Sequence, residues 1–360
     1  MTQLSFKGTN CLVVGGAGFV GSNLVAQLLE QDPAHVTIVD NLLSSDLSNI
    51  PQDPRVSFIY GSIADDAVLK QLPRDLDYAW HLACYHGNQS SIADPIADHD
   101  NNTITSLKLF DTLKDFTGLK KVVYAAAGCA VAEKTFDDAK PTTEEAPVSL
   151  YHDSPYSISK IIGELYGNYY FGRYQLPVVK TRFQNVYGPR EILGAGRWRG
   201  TVHTVWRNVT PTFIWRSLRK EALPLDNGGN ASRDFIFVED MARGLMAAAL
   251  KGEPGEVYNL ASGVETTVLD LAKTINELTG NPTPLDLRPA RDWDRSGKRF
   301  GSTEKSDKAL GFRAQVQLRD GLKKTIDWTK ANAAVIERCM KQHDYFMQQA
   351  STTTPGRRST

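Results

Sequence analysis

Tyr156 and Lys160, in the run Ser154-Pro155-Tyr156-Ser157-Ile158-Ser159-Lys160, stand four residues apart. On a helix that spacing puts both side chains on one face. An ammonium beside a phenol lowers the phenol's pKa and lets it take a proton near neutrality. The same two residues on an exposed amphipathic helix would do nothing, so the pair matters only beside a reactive partner. A partner is indicated near the N-terminus, where Cys11-Leu12-Val13-Val14 runs into Gly15-Gly16-Ala17-Gly18-Phe19-Val20-Gly21 and then an apolar-periodic segment from Ser22 to Glu30. Strand, glycine turn and helix in that order let a pyrophosphate approach backbone amides at a helix N-terminus, with Gly15, Gly18 and Gly21 providing the turn and the close packing. Next, His35-Val36-Thr37-Ile38-Val39-Asp40 ends in an acid roughly 20 residues past the glycines, where a carboxylate meets the adenosine ribose 2′-OH. Asp40 would repel a 2′-phosphate, and Asn41-Leu42-Leu43 supplies no arginine to offset it. The pattern favours NAD over NADP.

Positioning these groups requires a scaffold. Strand patterns over 56–60, 78–83, 121–126 and 177–182 alternate with helical ones over 64–71, 98–114 and 156–174. That alternation predicts an α/β, Rossmann-type, doubly wound parallel sheet, with ligands beyond the carboxyl ends of the strands. Past Pro189 the pattern loosens into a helix over 211–220, a strand over 233–238, a helix over 239–250, a short strand over 257–260, a helix over 268–279 and one long helix over 318–348. We read 1–189 as mainly the NAD-binding domain, 190–349 as mainly a smaller substrate-binding lobe with elements interleaved, and 350–360 as a disordered tail.

Bulk composition narrows the function classes. The chain has 360 residues, 41% of them hydrophobic, and a formal net charge of zero, so it can bury a large core and has no basic field to attract nucleic acid or an anionic membrane. Cys11, Cys84, Cys129 and Cys339 are scattered with no CxxC pair, which suits free thiols in a reducing compartment. No signal peptide or spanning run is evident, so a cytoplasmic protein is expected. The seven histidines are dispersed, and no metal site is expected.

Taken together, the motifs resemble those of the extended short-chain dehydrogenase/reductases, in the nucleotide-sugar epimerase/dehydratase group. The resemblance covers roughly residues 8 to 330 and rests on the GGAGFVG turn, Asp40-Asn41, Gly61-Ser62-Ile63, His81-Leu82-Ala83, Ser91-Ile92-Ala93-Asp94-Pro95 with Asn102, and Tyr156/Lys160. It continues through Arg182-Phe183-Gln184-Asn185-Val186-Tyr187-Gly188-Pro189, Arg233-Asp234-Phe235 and Arg291-Asp292-Trp293-Asp294-Arg295. The resemblance implies that NAD is held by Gly15, Gly18, Phe19, Val20, Gly21, Asp40, Asn41, Ser62, Ile63, Leu82, Ala83 and Asn102, together with Tyr156 and Lys160. It implies that Tyr156 takes a sugar hydroxyl proton while hydride passes to NAD, that Lys160 holds the nicotinamide ribose, and that Arg233, Arg295 and Asn185 grip the substrate diphosphate. It also implies a homodimer through the helices over 98–114 and 156–174.

One position departs from the family pattern. Where the family carries a Ser or Thr that bonds the reacting sugar oxygen, this chain reads Tyr124-Ala125-Ala126-Ala127-Gly128-Cys129. By strand register Ala127 takes that position, or Gly128 if the register shifts by one, and neither can donate; Cys129 is the nearest side chain with a proton, a weak donor. The acid pair that dehydratases carry in this run, and the Glu of decarboxylases, are replaced by Gly128 and Cys129. The expectation is therefore a nucleotide-diphosphosugar 4-epimerase. A decarboxylase or 4,6-dehydratase and a catalytically silent NAD sensor or scaffold are the alternatives. His86 in the loop Cys84-Tyr85-His86-Gly87-Asn88 faces substrate as an added acid or base, or is a solvated loop histidine. Gly194 to Gly200 is either a mobile cap, with Arg197 on the diphosphate and Trp198 stacked on base or sugar, or a surface contact.

Overall fold

The computed structural model describes residues 5–132, 135–290 and 297–352. Its centre is a sheet of seven parallel strands: β1 (Asn10–Val14), β2 (His35–Asp40), β3 (Val56–Tyr60), β4 (Tyr78–His81), β5 (Lys121–Ala127), β6 (Val178–Phe183) and β7 (Val257–Leu260). They lie in the order β7-β6-β5-β4-β1-β2-β3, so the winding reverses between β1 and β4 and a crevice opens beyond their carboxyl ends. This is a Rossmann-type α/β sheet.

The strands are nearly continuous apolar runs because helices cover both faces. On one face Leu24, Val25 and Leu28 of the helix Phe19–Leu29 and Met241 and Leu245 of the helix Val238–Lys251 pack on Trp80 and Val123. On the other, Leu109, Phe110 and Leu113 of the helix Thr105–Leu113 and Tyr170 of the helix Pro155–Tyr174 cover Val122 and Tyr124. Ser154 caps the latter helix by accepting a hydrogen bond from the Ser157 amide, and Pro155 sits in the first turn, where its missing N–H costs nothing. A Cβ on Gly163 would lie 1.9 Å from the Tyr124 hydroxyl. Glycine there lets the helix that carries Tyr156 and Lys160 lie directly on β5.

β7 comes from beyond Pro189 and pairs with β6, so the chain returns to the sheet after building part of the second layer. That layer contains a three-stranded sheet of Asn185–Tyr187, Ser232–Phe237 and Glu265–Thr267. Its core joins Tyr187, Phe213, Ile214, Phe237, Leu271 and Leu322.

Several expected elements differ. The single helix over 318–348 is three, Leu318–Ala331, Ala333–Lys341 and Asp344–Thr352. The first break is at Asn332, which leaves helical geometry at φ −111°. Turning there lets Ile336 and Cys339 reach a separate cluster with Ile192, Leu193 and Trp215. The third helix carries regular structure past residue 350, while 353–360 lie outside the described residues. The helix over 64–71 shortens to Asp66–Leu69, and the one over 98–114 contains a π-helical stretch, His99–Ile104. No described helix is long and apolar enough to cross a membrane.

Candidate active site

A cleft of about 700 Å³ opens at the carboxyl ends of the strands and extends under the second layer. At its floor the Gly15 amide donates to the Val39 carbonyl at 2.7 Å. Gly15 has φ +86°, and a Cβ there would stand 2.6 Å from the Ala83 nitrogen; one on Gly21 would stand 2.1 Å from the Gly15 carbonyl oxygen. The turn, the next strand and the first helix thus meet backbone to backbone, which is the cradle a pyrophosphate needs. Gly21→Val should force the helix off the turn and weaken NAD binding at least about tenfold, or ~1.4 kcal/mol, measured as NAD carried through purification.

Asp40, the last residue of β2, lines the cleft. Its Oδ1 accepts from the Leu42 amide and the Ser45 hydroxyl, both at 2.8 Å, and its Oδ2 from the Ala17 amide at 3.1 Å. Burial pushes its carboxyl pKa up, and these hydrogen bonds oppose the rise. Two arginines distant in sequence also reach this loop. Arg197 donates to the Asn41 carbonyl at 3.2 Å and Arg207 to the Ser44 carbonyl at 2.6 Å. Both donate to backbone oxygens and neither donates to the Asp40 carboxylate.

Tyr156 and Lys160 line the same cleft. Lys160 Nζ donates to the Ala125 carbonyl at 2.9 Å and lies 5.9 Å from the Tyr156 ring centroid. Burial acts to lower the Lys160 pKa, but Tyr124, Cys84 and Asp98 outweigh it and keep the amine charged. The Tyr156 phenol is pushed well up, first by burial and then by Cys84 and Cys129. This corrects the expectation of a phenol already lowered by its lysine: desolvation dominates while the ammonium is committed to a carbonyl.

The remaining expected residues separate into those on the cleft wall and those off it. Phe19, Val20, Asn41, Ser62, Ile63, Leu82, Ala83, His86, Ala127, Cys129, Asn185 and Arg233 line it. Asn102 stands behind it: its Oδ1 accepts from the Tyr85 amide at 2.7 Å, and its Nδ2 donates to Asp98 at 2.8 Å and Ser159 at 3.2 Å. It holds the wall and does not touch the cavity. Arg197 is exposed and is not a wall residue. Trp198 stacks on Phe346, with ring centroids 5.3 Å apart and planes 13° from parallel. Gln342 donates to the Gly194 and Gly196 carbonyls, so this segment is fastened to the C-terminal helices, contrary to a cap that stacks Trp198 on base or sugar. Arg295 lies outside the described residues.

His86 is half-buried in the wall, with its ring edge-on to Tyr156 at 5.8 Å. That position does not fit a solvated loop histidine. Its Nε2 meets Asn208 Oδ1 at 3.0 Å, and Asn208 in turn donates to Glu191. Burial acts to lower the His86 pKa, but Cys84 and Asn208 raise it overall. Glu191 is 8% exposed, and burial carries its carboxyl up to about 7. An acid whose folded pKa lies above its unfolded value binds more protons when folded, so stability is fullest at low pH and declines as pH rises from about 4.5 to about 7. Glu191→Gln should therefore flatten that decline and raise the melting temperature at pH 8, read by thermal denaturation across pH. Cys84, Glu191, Asn208, Arg207 and Gln184 all line the cleft. Apart from Gln184, inside the Arg182–Pro189 segment, and Cys84, in the loop that carries His86, none carries a local spacing signal, because loops from separate crossovers bring them together.

The family model for the NAD dependent epimerase/dehydratase family matches residues 11–261. The chain belongs to that family. Its members are NAD-dependent sugar-nucleotide epimerases and dehydratases, and NAD is the cofactor. Among solved structures it is similar to the Bordetella bronchiseptica enzyme WbmF in complex with NAD+, at 58% identity over 96% of this chain and 99% of that one, with a TM-score of 0.86. It is 30% identical to the UDP-glucose 4-epimerase of Mycolicibacterium smegmatis over 88% of this chain and 97% of the relative. It is 27% identical, over 92% of its own length, to the Arabidopsis thaliana trifunctional UDP-glucose 4,6-dehydratase/UDP-4-keto-6-deoxy-D-glucose 3,5-epimerase/UDP-4-keto-L-rhamnose-reductase, of which it spans 49%. The family thus joins epimerases and dehydratases on one fold, and the side chains around Tyr156 must distinguish them.

Proposed function

We propose that the protein is an NAD-dependent nucleotide-diphosphosugar 4-epimerase that works through a transient 4-keto sugar. The observation that carries this reading is the wall beside Tyr156, where Ala127 and Cys129 stand and neither they nor Gly128 between them bring a carboxyl group. Elimination of water takes an acid and base pair from that run, whereas oxidation and re-reduction at one carbon require only a proton acceptor beside the cofactor. Bound NAD supplies the hydride acceptor and donor. Tyr156 takes the 4-hydroxyl proton and returns it when the keto sugar is reduced on its other face. Lys160, charged and fixed on Ala125, stabilises the phenolate that forms, and Arg233 and Asn185 orient the diphosphate from the wall.

A uridine nucleotide is the first substrate class to test, since WbmF has also been solved with NAD+ and UDP. We place the reaction in a homodimer. Ile158, Leu165 and Tyr169 are exposed apolar residues on the helix over 156–174, one of the two that would form its interface, Leu165 at 60%. Four free thiols, two of them only half-buried, agree with a cytoplasmic setting. NMR of UDP-, dTDP-, GDP- and CDP-sugars after incubation should show one sugar interconverting with its C4 epimer. A panel in which no sugar is inverted would overturn the reading.

A further inference from the structure

β5 and β6 pair with Ala127 opposite Phe183, so the next residues, Gly128 and Gln184, emerge side by side at the cleft. A Cβ on Gly128 would stand 2.3 Å from Gln184 Nε2 and 2.9 Å from its Oε1, and a Cβ on Gly301 would stand 2.9 Å from Nε2. The amide therefore occupies a slot between two residues without side chains, in the volume that a side chain at 128 would otherwise take. Gln184 lines the cleft with Ala127, Cys129, Tyr156 and Lys160. Among the described residues its amide has no hydrogen-bond partner within the protein, which leaves its N–H groups available to a ligand.

We infer that the Gln184 amide donates to the reacting sugar oxygen in place of the hydroxyl that Ala127 lacks. This rests on the epimerase reading and deepens it. A carboxamide can orient and polarise a sugar oxygen but cannot exchange a proton, so a site that uses it is suited to hydride transfer at that carbon and not to elimination. Cys129 is the competing donor, and a thiol is the weaker of the two.

The test is a set of variants assayed on the sugar that the wild type inverts. Losing one preorganised donor costs on the order of 10²-fold in kcat. Gln184→Ala should show that loss while KM and bound NAD stay within about threefold of wild type, less than a typical net hydrogen bond is worth. Ala127→Ser should restore at least about tenfold in the Gln184→Ala background by returning a donor from the other strand. Gly128→Ala should reproduce the loss by displacing the amide, and adding it to Gln184→Ala should cost little more, because both act on one group. A Gln184→Ala enzyme within about threefold of wild type, or a loss that Ala127→Ser leaves untouched, would overturn the assignment while the epimerase reading stands. If the wild type inverts no sugar, the reading beneath it fails and binding decides Gln184: the gain in affinity of a UDP-sugar over UDP should shrink in Gln184→Ala, and an unchanged gain counts against it.

Discussion

Tyr156→Phe should lose about 10²- to 10⁴-fold in kcat, the usual range for removing a positioned acid–base group and ~3–5 kcal/mol of barrier, while keeping its fold and its NAD. The ring is retained, so the edge-on contact with His86 at 5.8 Å survives, as does the hydrogen bond that the Tyr156 backbone amide donates to the Ser91 hydroxyl at 3.1 Å. Only the hydroxyl is removed, and the cradle around Gly15 lies on a different crossover. Because burial holds the Tyr156 phenol above its usual pKa, the wild-type rate should climb with pH on the alkaline side as the phenolate becomes accessible. The residual rate of the variant should be flat over the same range. Steady-state assays from pH 6 to 10 check both; a variant that keeps more than a tenth of wild-type kcat would show that the proton goes elsewhere.

Arg182→Met should destabilise the protein by about 3–5 kcal/mol, since removing one partner of a buried ion pair strands the other charge. Arg182 Nε and Nη2 donate to the two oxygens of Glu164, both at 2.9 Å, and its Nη1 donates to the Glu144 carbonyl at 2.8 Å. The two side chains are only 5% and 10% exposed, so water cannot compensate. The pair ties β6 to the helix Pro155–Tyr174, two turns below Tyr156. The expected fall in melting temperature is on the order of 4–7 °C for a chain this large. Adding Glu164→Leu should recover most of the loss, less about 1–2 kcal/mol for the Glu144 carbonyl left without its donor. A single variant that melts within 2 °C of wild type, a shift of ~1 kcal/mol or less, would mean the pair contributes little.

Much of the scaffold is legible because short-range patterns enforce it. The β-branched run ending in Asp40 reads as a strand with its observed bounds, and the helix Val268–Thr279 is delimited by a Thr267 cap and Gly280 in the left-handed region. What escaped is set by contacts between distant segments. The periodicity over 318–348 continues through Asn332, and only the separate cluster around Ile192 and Trp215 explains the turn there. Trp198 is an aromatic in a glycine-rich loop until Phe346 is seen beneath it. The direction of the Tyr156 shift depends on how much water the fold removes, which a four-residue spacing does not encode. Gln184 lies inside a recognisable motif, but its role depends on the absent side chains of Gly128 and Gly301, the second of them 117 residues away.

The most direct test of the 4-epimerase reading is the fate of hydrogen in heavy water. With the sugar substrate in D₂O, NMR should show the C4 epimer forming with no solvent deuterium on carbon, because the hydride removed from C4 is the one returned. A 4-keto-6-deoxy product carrying deuterium at C5, or loss of a carboxyl group as CO₂, would contradict it.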